Sequence, residues 1–223
     1  MKRLLVLAIL LLSFTFANAQ NEYAPLQEHE FKYKNWTYKS IHDDKDINLR
    51  DFARDKKLVM VVYFAAWCPN WKYEAPVAQK LYDKYKSQGF HVIGVSEYDT
   101  IEKTKANLET LNITFPVVSE SVSLDAREKT LHYEYRQKTA DKRKWGSPWN
   151  LFIEKGKMEK KGDTLLKKAF IVNGELIEAD VEKFIRQKLG LPAQEKQIAV
   201  SGKNKEIEAC EPDKKGEVSF KKP

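Results

Sequence analysis

The chain has 223 residues but only two cysteines, nine glycines and no long apolar run, and each shortage excludes something. Two cysteines make neither a disulfide-rich scaffold nor a four-thiolate zinc site. Nine glycines exclude collagen-like and glycine-rich repeats. No apolar run reaches the ~18 residues that a membrane-spanning helix needs, so no stable membrane anchor is expected. His29, His42, His91 and His132 show no metal-ligand spacing, and no glycine-rich phosphate loop or serine-nucleophile motif occurs. Neither a metal nor a cofactor is therefore expected. An excess of one charge is also missing. Lys and Arg number 39 against 32 Asp and Glu, and this net +7 is too dispersed to argue for nucleic acid.

What is present is a chain 42% hydrophobic and 12% aromatic, enough to bury one sizeable core. It opens Met1-Lys2-Arg3, runs mostly apolar from Leu4 to Phe16, and then reads Ala17-Asn18-Ala19. A positive start, a short greasy core and a small-x-small site make a secretory signal peptide over residues 1–19. The mature protein is expected to be secreted or periplasmic, where disulfides form and persist.

Residues 20–35 read as a polar, extended lead-in, and residues 36–190 as the folded domain. Trp36 to Ile41 alternates as a short strand, and Asp46 to Phe52 ends a strand and begins a helical turn. Leu58 to Ala65 is the continuous apolar run of a central buried strand. A helix follows to Lys86, with Ala75, Ala78, Leu81, Tyr82 and Tyr85 at helical spacing. Phe90 to Val95 and Phe115 to Val118 read as strands, with an amphipathic helix from Ile101 to Leu111 between them. Leu124 to Lys144 reads as one polar helix and Asn150 to Ile153 as a strand. Asn173-Gly174 between apolar flanks signals a hairpin, and Ala179 to Leu189 a closing helix stopped by Gly190. This alternation predicts an α/β fold, a central mixed sheet with helices on both faces. Residues 191–223 hold 13 charged and six large apolar residues, a composition that predicts a disordered tail.

The chemistry concentrates at Trp67-Cys68-Pro69-Asn70-Trp71. Cys68 falls between the buried strand and the next helix. The unpaired N–H groups and positive dipole end of a helix start favour a thiolate and lower a thiol's pKa. Cys68 is thus the candidate nucleophile. Cys210, in the tail, is a possible resolving partner, an intermolecular link or an incidental thiol; its acidic neighbours disfavour a thiolate there. Arg136, Lys138, Lys142, Arg143 and Lys144 form a basic cluster, read as a solvated helix end or as a positive rim for the cysteine.

The strand LVMVVYFA, then Ala66-Trp67-Cys68, Glu74-Ala75-Pro76 and Gly146-Ser147-Pro148, resemble the exported TlpA-type thiol–disulfide oxidoreductases, grouped with redoxins of the AhpC/TSA superfamily. The resemblance implies a thioredoxin-like fold over about residues 36–190. It implies a cis-proline at Pro148 facing Cys68, and a role for Glu74 as a partly buried proton carrier. It implies substrate contacts from Trp67, Pro69, Asn70, Trp71, Ser147 and Pro148, and partners that are protein or low-molecular-weight thiols and disulfides with an external reductant. One departure is plain: the second cysteine of the family's Cys-x-x-Cys is Trp71 here. The expected function is therefore thiol–disulfide exchange through Cys68 alone or with Cys210. The alternative is a redox-inactive binding module using Trp67, Trp71 and Trp149. A peroxiredoxin-like peroxidase is a weaker alternative, since Val61 and Ala65 occupy the places of the peroxidase motif's Pro and Thr/Ser.

Overall fold

The computed structural model describes residues 22–192. The expected signal peptide and all but the first two residues of the expected tail, Cys210 included, lie outside the described residues.

A continuous apolar run builds the centre. The strand β5 (Leu58–Phe64) is buried at every position. Leu58, Met60, Val62 and Phe64 join the core on one face of the sheet, and Val59, Val61 and Tyr63 the core on the other. A strand sandwiched in this way needs the continuous apolar run that the sequence supplies. Its neighbours are β6 (Phe90–Ser96), parallel to it, and β8 (Trp149–Glu154), antiparallel.

With β2 (Gln27–Lys34), β3 (Thr37–Ser40), β4 (Asp46–Asn48), β7 (Val117–Ser119) and β9 (Thr164–Val172), these strands form an eight-stranded mixed sheet. Its order is β2-β9-β8-β5-β6-β7-β3-β4. The helices α2 (Pro69–Tyr85) and α5 (Glu178–Leu189) pack their apolar stripes against one face. Leu108 of α3 (Ile101–Thr110) joins the same core. On the opposite face lie α1 (Leu49–Ala53) and α4 (Leu131–Lys138). The α/β architecture with helices on both faces is as the sequence predicts.

Three local readings change. The polar lead-in holds β2, an edge strand paired antiparallel to β9, with Phe31 and Tyr33 turned inward between exposed Glu30, Lys32 and Lys34. The long polar helix is instead a 3₁₀ segment (Leu124–Lys129), then α4, then a loop from Thr139 into Pro148. Thr130 interrupts it, capping α4 by accepting from the Tyr133 N–H at 3.0 Å. The hairpin at Asn173-Gly174 does not form a ladder. There β10 (Glu175–Leu176) pairs in parallel with β1 (Tyr23–Ala24), while β9 pairs with β8 and β2. Gly174 is essential to this crossing, because a Cβ there would meet the carbonyl oxygen of Glu22 at 1.9 Å.

Candidate active site around Cys68

Cys68 is the N-cap residue of α2, extended at φ −75°, with Pro69 opening the helix behind it. Proline is suited to that place, since the first helical N–H has no intrahelical acceptor anyway. The sulfur is buried and lies 3.3 Å from the carbonyl oxygen of Ser147. The Ser147–Pro148 peptide is cis. Ser147 Oγ accepts from the Ala65 N–H at 2.9 Å, which ties the proline loop to the end of β5 one turn ahead of the cysteine. Cys68, Ser147 and Pro148 are thus brought together, as the family resemblance implies.

The rest of the wall is aromatic. Trp67 packs edge-to-face on Trp145, with ring centroids 5.2 Å apart. Its Nε1 donates to the carbonyl of Tyr98 at 3.4 Å. Tyr98 has φ +61°, rare for a bulky residue, and its hydroxyl lies 3.1 Å from His132 Nδ1. His132 Nε2 lies 3.1 Å from the Gly146 carbonyl. A carbonyl only accepts, so Nε2 carries the proton and Nδ1 accepts from the tyrosine. Burial first, then the Arg136 charge, holds the His132 pKa well below its ordinary value, so the ring is neutral. Tyr98 and His132 therefore bridge the cysteine's tryptophan wall to the proline loop. Sequence reading treats neither as a site residue, because nothing in the chain relates positions 98, 132 and 146.

The basic cluster is mostly a brace. Arg136 is fully buried and pairs with Asp141 at 3.1 Å and with the Arg143 carbonyl. Arg143 binds Asp141 and Glu22, each at 2.8 Å, and donates to the Pro148 carbonyl at 2.9 Å. Lys138 pairs with Glu134. Three of the five cations thus hold the loop or their own helix. The lone acid in that run, Asp141, was the available signal.

Trp71, in the place of the family's second cysteine, is wholly buried. It stacks on Phe64 with centroids 4.1 Å apart and donates from Nε1 to Asn107 Oδ1 at 3.0 Å. Trp149 is equally buried, with Nε1 on Asn173 Oδ1 at 2.6 Å. Neither offers surface to a peptide, and of the three tryptophans Trp67 is the one with a side chain not wholly buried. Pro69 is half-buried and Asn70 is buried. Trp71→Cys, which recreates the dithiol motif, should empty this slot and cost about 3–5 kcal/mol, the range for truncating a buried large aromatic. Urea unfolding should show a lowered midpoint whether or not a disulfide to Cys68 forms.

Glu74 lies one face away, on the same helix but turned to β8 and β10. Its Oε2 accepts from the Leu176 N–H at 2.9 Å and from Asn150 Nδ2 at 3.3 Å. Burial raises its pKa to about 8, against the partial relief of those two hydrogen bonds. A carboxyl raised in the folded state binds its proton more tightly there than in the unfolded chain. Its contribution is fully present below the unfolded value and is lost as pH rises through about 8. Stability should therefore fall between about pH 5 and pH 8 by a few kcal/mol. Glu74→Gln should make that decline shallower in urea titrations repeated across pH, the remainder coming from Glu175 and Glu97, which burial also raises.

Among the described residues no group of three or more His, Cys, Asp or Glu is placed to hold a metal, and no helix is long and apolar enough to cross a membrane.

Solved structures share this architecture. A thiol:disulfide interchange protein of the thioredoxin family from Chlorobium tepidum matches with a TM-score of 0.52 at 18% identity, over 73% of this chain and 98% of that one. A putative protein disulfide isomerase from Bacteroides thetaiotaomicron matches at 0.52 and 20% identity, over 77% and 95%. These likenesses show a thioredoxin-like fold. In sequence the chain belongs to the AhpC/TSA family, whose model matches residues 28–144, just over half its length. It is also similar to the thiol-disulfide oxidoreductase ResA of Oceanobacillus iheyensis, 33% identical over 75 residues, which is 34% of this chain and 38% of that protein. ResA of Bacillus thuringiensis is 31% identical over 75 residues, 34% of this chain and 42% of that one. The match spans well under half the length of these curated relatives.

Proposed function

We propose that the protein is an exported thiol–disulfide oxidoreductase whose nucleophile is Cys68, with Cys210 as the resolving thiol. The observation that carries this reading is the placement of Cys68 at the N-cap of α2, its sulfur 3.3 Å from the Ser147 carbonyl of the proline loop. The positive dipole end of α2 favours a thiolate at this place, both as nucleophile and as leaving group; no helix N–H bonds the sulfur, and the Ser147 carbonyl accepts from its thiol form. The similarity to ResA and the family membership support the same chemistry.

The cycle balances with two thiols. The Cys68 thiolate attacks one sulfur of a substrate disulfide, forms a mixed disulfide and expels the other sulfur as thiolate. A second thiolate then attacks Cys68, forms a new disulfide with it and releases the remaining substrate sulfur. Both substrate sulfurs are reduced, and two protein cysteines are oxidised. An external dithiol reductant resets the pair. Trp71 supplies no second thiol, since indole offers only an N–H and an apolar face. Cys210 is 20 residues from Gly190, and ~3.3 Å per residue gives it ample reach. Burial of Cys68 limits collisional access, which favours a thiol held on the same chain at an effective concentration on the order of millimolar.

Peptide mapping of mildly oxidised monomer under non-reducing conditions tests the pairing. A linked pair containing Cys68 and Cys210 is the expected result. Two alkylatable thiols would remove Cys210 from the cycle. Export is tested by the N-terminal sequence of the mature protein, expected to begin after Ala19.

A further inference from the structure

Beside the redox site, the far side of α2 opens on a cavity of about 380 Å³. Three carboxyl side chains line it: Glu74, Glu175 and Glu178. Its rim is Tyr23, Tyr73 and Ile177. Large hydrophobic side chains are exposed among the described residues at Tyr23, Tyr73, Val122 and Ile177, and all but Val122 belong to this rim.

Two of the carboxyls are incompletely satisfied. Glu74 is 2% exposed and Glu175 1%, yet Oε1 of each has no hydrogen-bond partner. Buried acceptors without donors are costly, and because both side chains line one cavity a shared donor entering it would relieve both. Glu178 is held at the mouth by Lys80, Oε1 to Nζ 2.6 Å. Glu74 feels the Glu175 charge, which raises it further. Tyr23 feels both, its phenol held above its ordinary value by burial and then by Glu175 and Glu74.

Once these carboxyls are ionised, an anion is repelled here. A bare divalent cation asks for six or more oxygens, which aromatic and aliphatic walls do not supply. An organic cation suits both halves of the lining: an ammonium head for the carboxyl oxygens, and an apolar stem for the tyrosine faces, which attract cations. We propose that this cavity binds a primary alkylammonium group, with its nitrogen between Glu74 and Glu175 and its stem against Tyr23, Tyr73 and Ile177. The site goes beyond thiol exchange and does not depend on it.

Affinity should rise with pH, because cation and protons compete for the same oxygens. Burial raises Glu74 to about 8 and Glu175 to about 7. The charges facing Glu74 are Glu175 and Arg143, and those facing Glu175 are Glu22 and Arg143; the arginine lowers both carboxyls without bonding either. At about pH 9 both should be ionised, and at about pH 6 both protonated.

Titration of the mature full chain with n-butylammonium and with n-butanol, followed by calorimetry and amide chemical shifts, tests the site. At about pH 9 the amine should bind at least ~10-fold more tightly than the alcohol, and it should weaken at least ~10-fold at about pH 6. Glu175→Gln should weaken it by a similar factor, and Tyr73→Ala, at an exposed position, by a few-fold. Cys68→Ser should leave amine binding unchanged, so that failure here and failure of the redox reading are separable. A short acetylated, amidated peptide with one lysine distinguishes the source of the group. Tighter binding than butylammonium marks a lysine side chain of a partner, weaker binding a free amine, and either supports the site. Equal binding of amine and alcohol, or a folded Glu175→Gln and Tyr73→Ala that both bind the amine as wild type does, would overturn it.

Discussion

Cys68→Ser is expected to abolish disulfide exchange, with a loss of at least ~100-fold in insulin-disulfide reduction or in turnover of an aromatic disulfide, and to leave the fold intact. A hydroxyl at this position is a slightly smaller isostere of the thiol, but it is a far weaker nucleophile, and an alkoxide is a far worse leaving group than a thiolate. Serine is a better N-cap residue than cysteine, so with both proteins reduced the thermal midpoint should hold or rise slightly; without reductant the variant should melt lower, because it lacks the proposed disulfide to Cys210. Cys210→Ser should act differently: the first attack survives, mixed disulfides accumulate, and multiple turnover falls. Trapped adducts in Cys210→Ser but not in Cys68→Ser would establish the order of the two thiols. If Cys68→Ser retains wild-type turnover, the site lies elsewhere.

Gly146→Ala should be among the most damaging single methyls in the domain. Gly146 has φ +61°, a conformation that L side chains adopt at a cost. An added Cβ would also lie 1.7 Å from Arg136 Nε and 2.1 Å from its Cζ. That guanidinium cannot step aside cheaply, because it is buried and fixed by Asp141 and the Arg143 carbonyl. Strain and a displaced buried charge together suggest a loss of about 3–5 kcal/mol. At about 2–4 °C per kcal/mol for a chain of this size, differential scanning calorimetry should show a fall of roughly 10 °C or more. A midpoint within a few degrees of wild type would mean that the loop and Arg136 are far more pliable than their packing implies. The same change should impair exchange beyond its effect on stability, since Gly146 holds His132 and is next to Ser147.

The sheet's centre is legible in the chain because its signal is local. Seven consecutive buried positions in β5 demand an unbroken apolar run, and Cys68 follows at a spacing that places it at the start of α2. Pro148 and Glu74 are legible through resemblance, since the motif spacing carries them together. The edge strand β2 is harder to see. Its exposed Glu28, Glu30, Lys32 and Lys34 dominate the composition, and the period-two placement of Phe31 and Tyr33 is short. The Asn173-Gly174 turn is also misleading. Its sequence is that of a hairpin, but β10 finds a partner in β1, some 150 residues earlier, and no local pattern encodes that pairing.

By itself, the sequence determined an α/β chain with a cysteine at a helix start and tryptophan three residues on, and its resemblance to a known family supplied the thioredoxin-like kind. These features depend on residue type and on separations of a few residues, which helix and strand periods translate directly into geometry. Only the tertiary structure decided that Trp71 fills the core against Phe64 rather than the substrate face. It also decided that Arg136 and Asp141 are a buried brace rather than a charged rim. The bridge from Trp67 through Tyr98 and His132 to Gly146, and the meeting of Glu74 with Glu175, were likewise settled there. In each case the partners are far apart in the chain, and the outcome is set by which buried group reaches a donor or acceptor once the sheet and helices have closed around it.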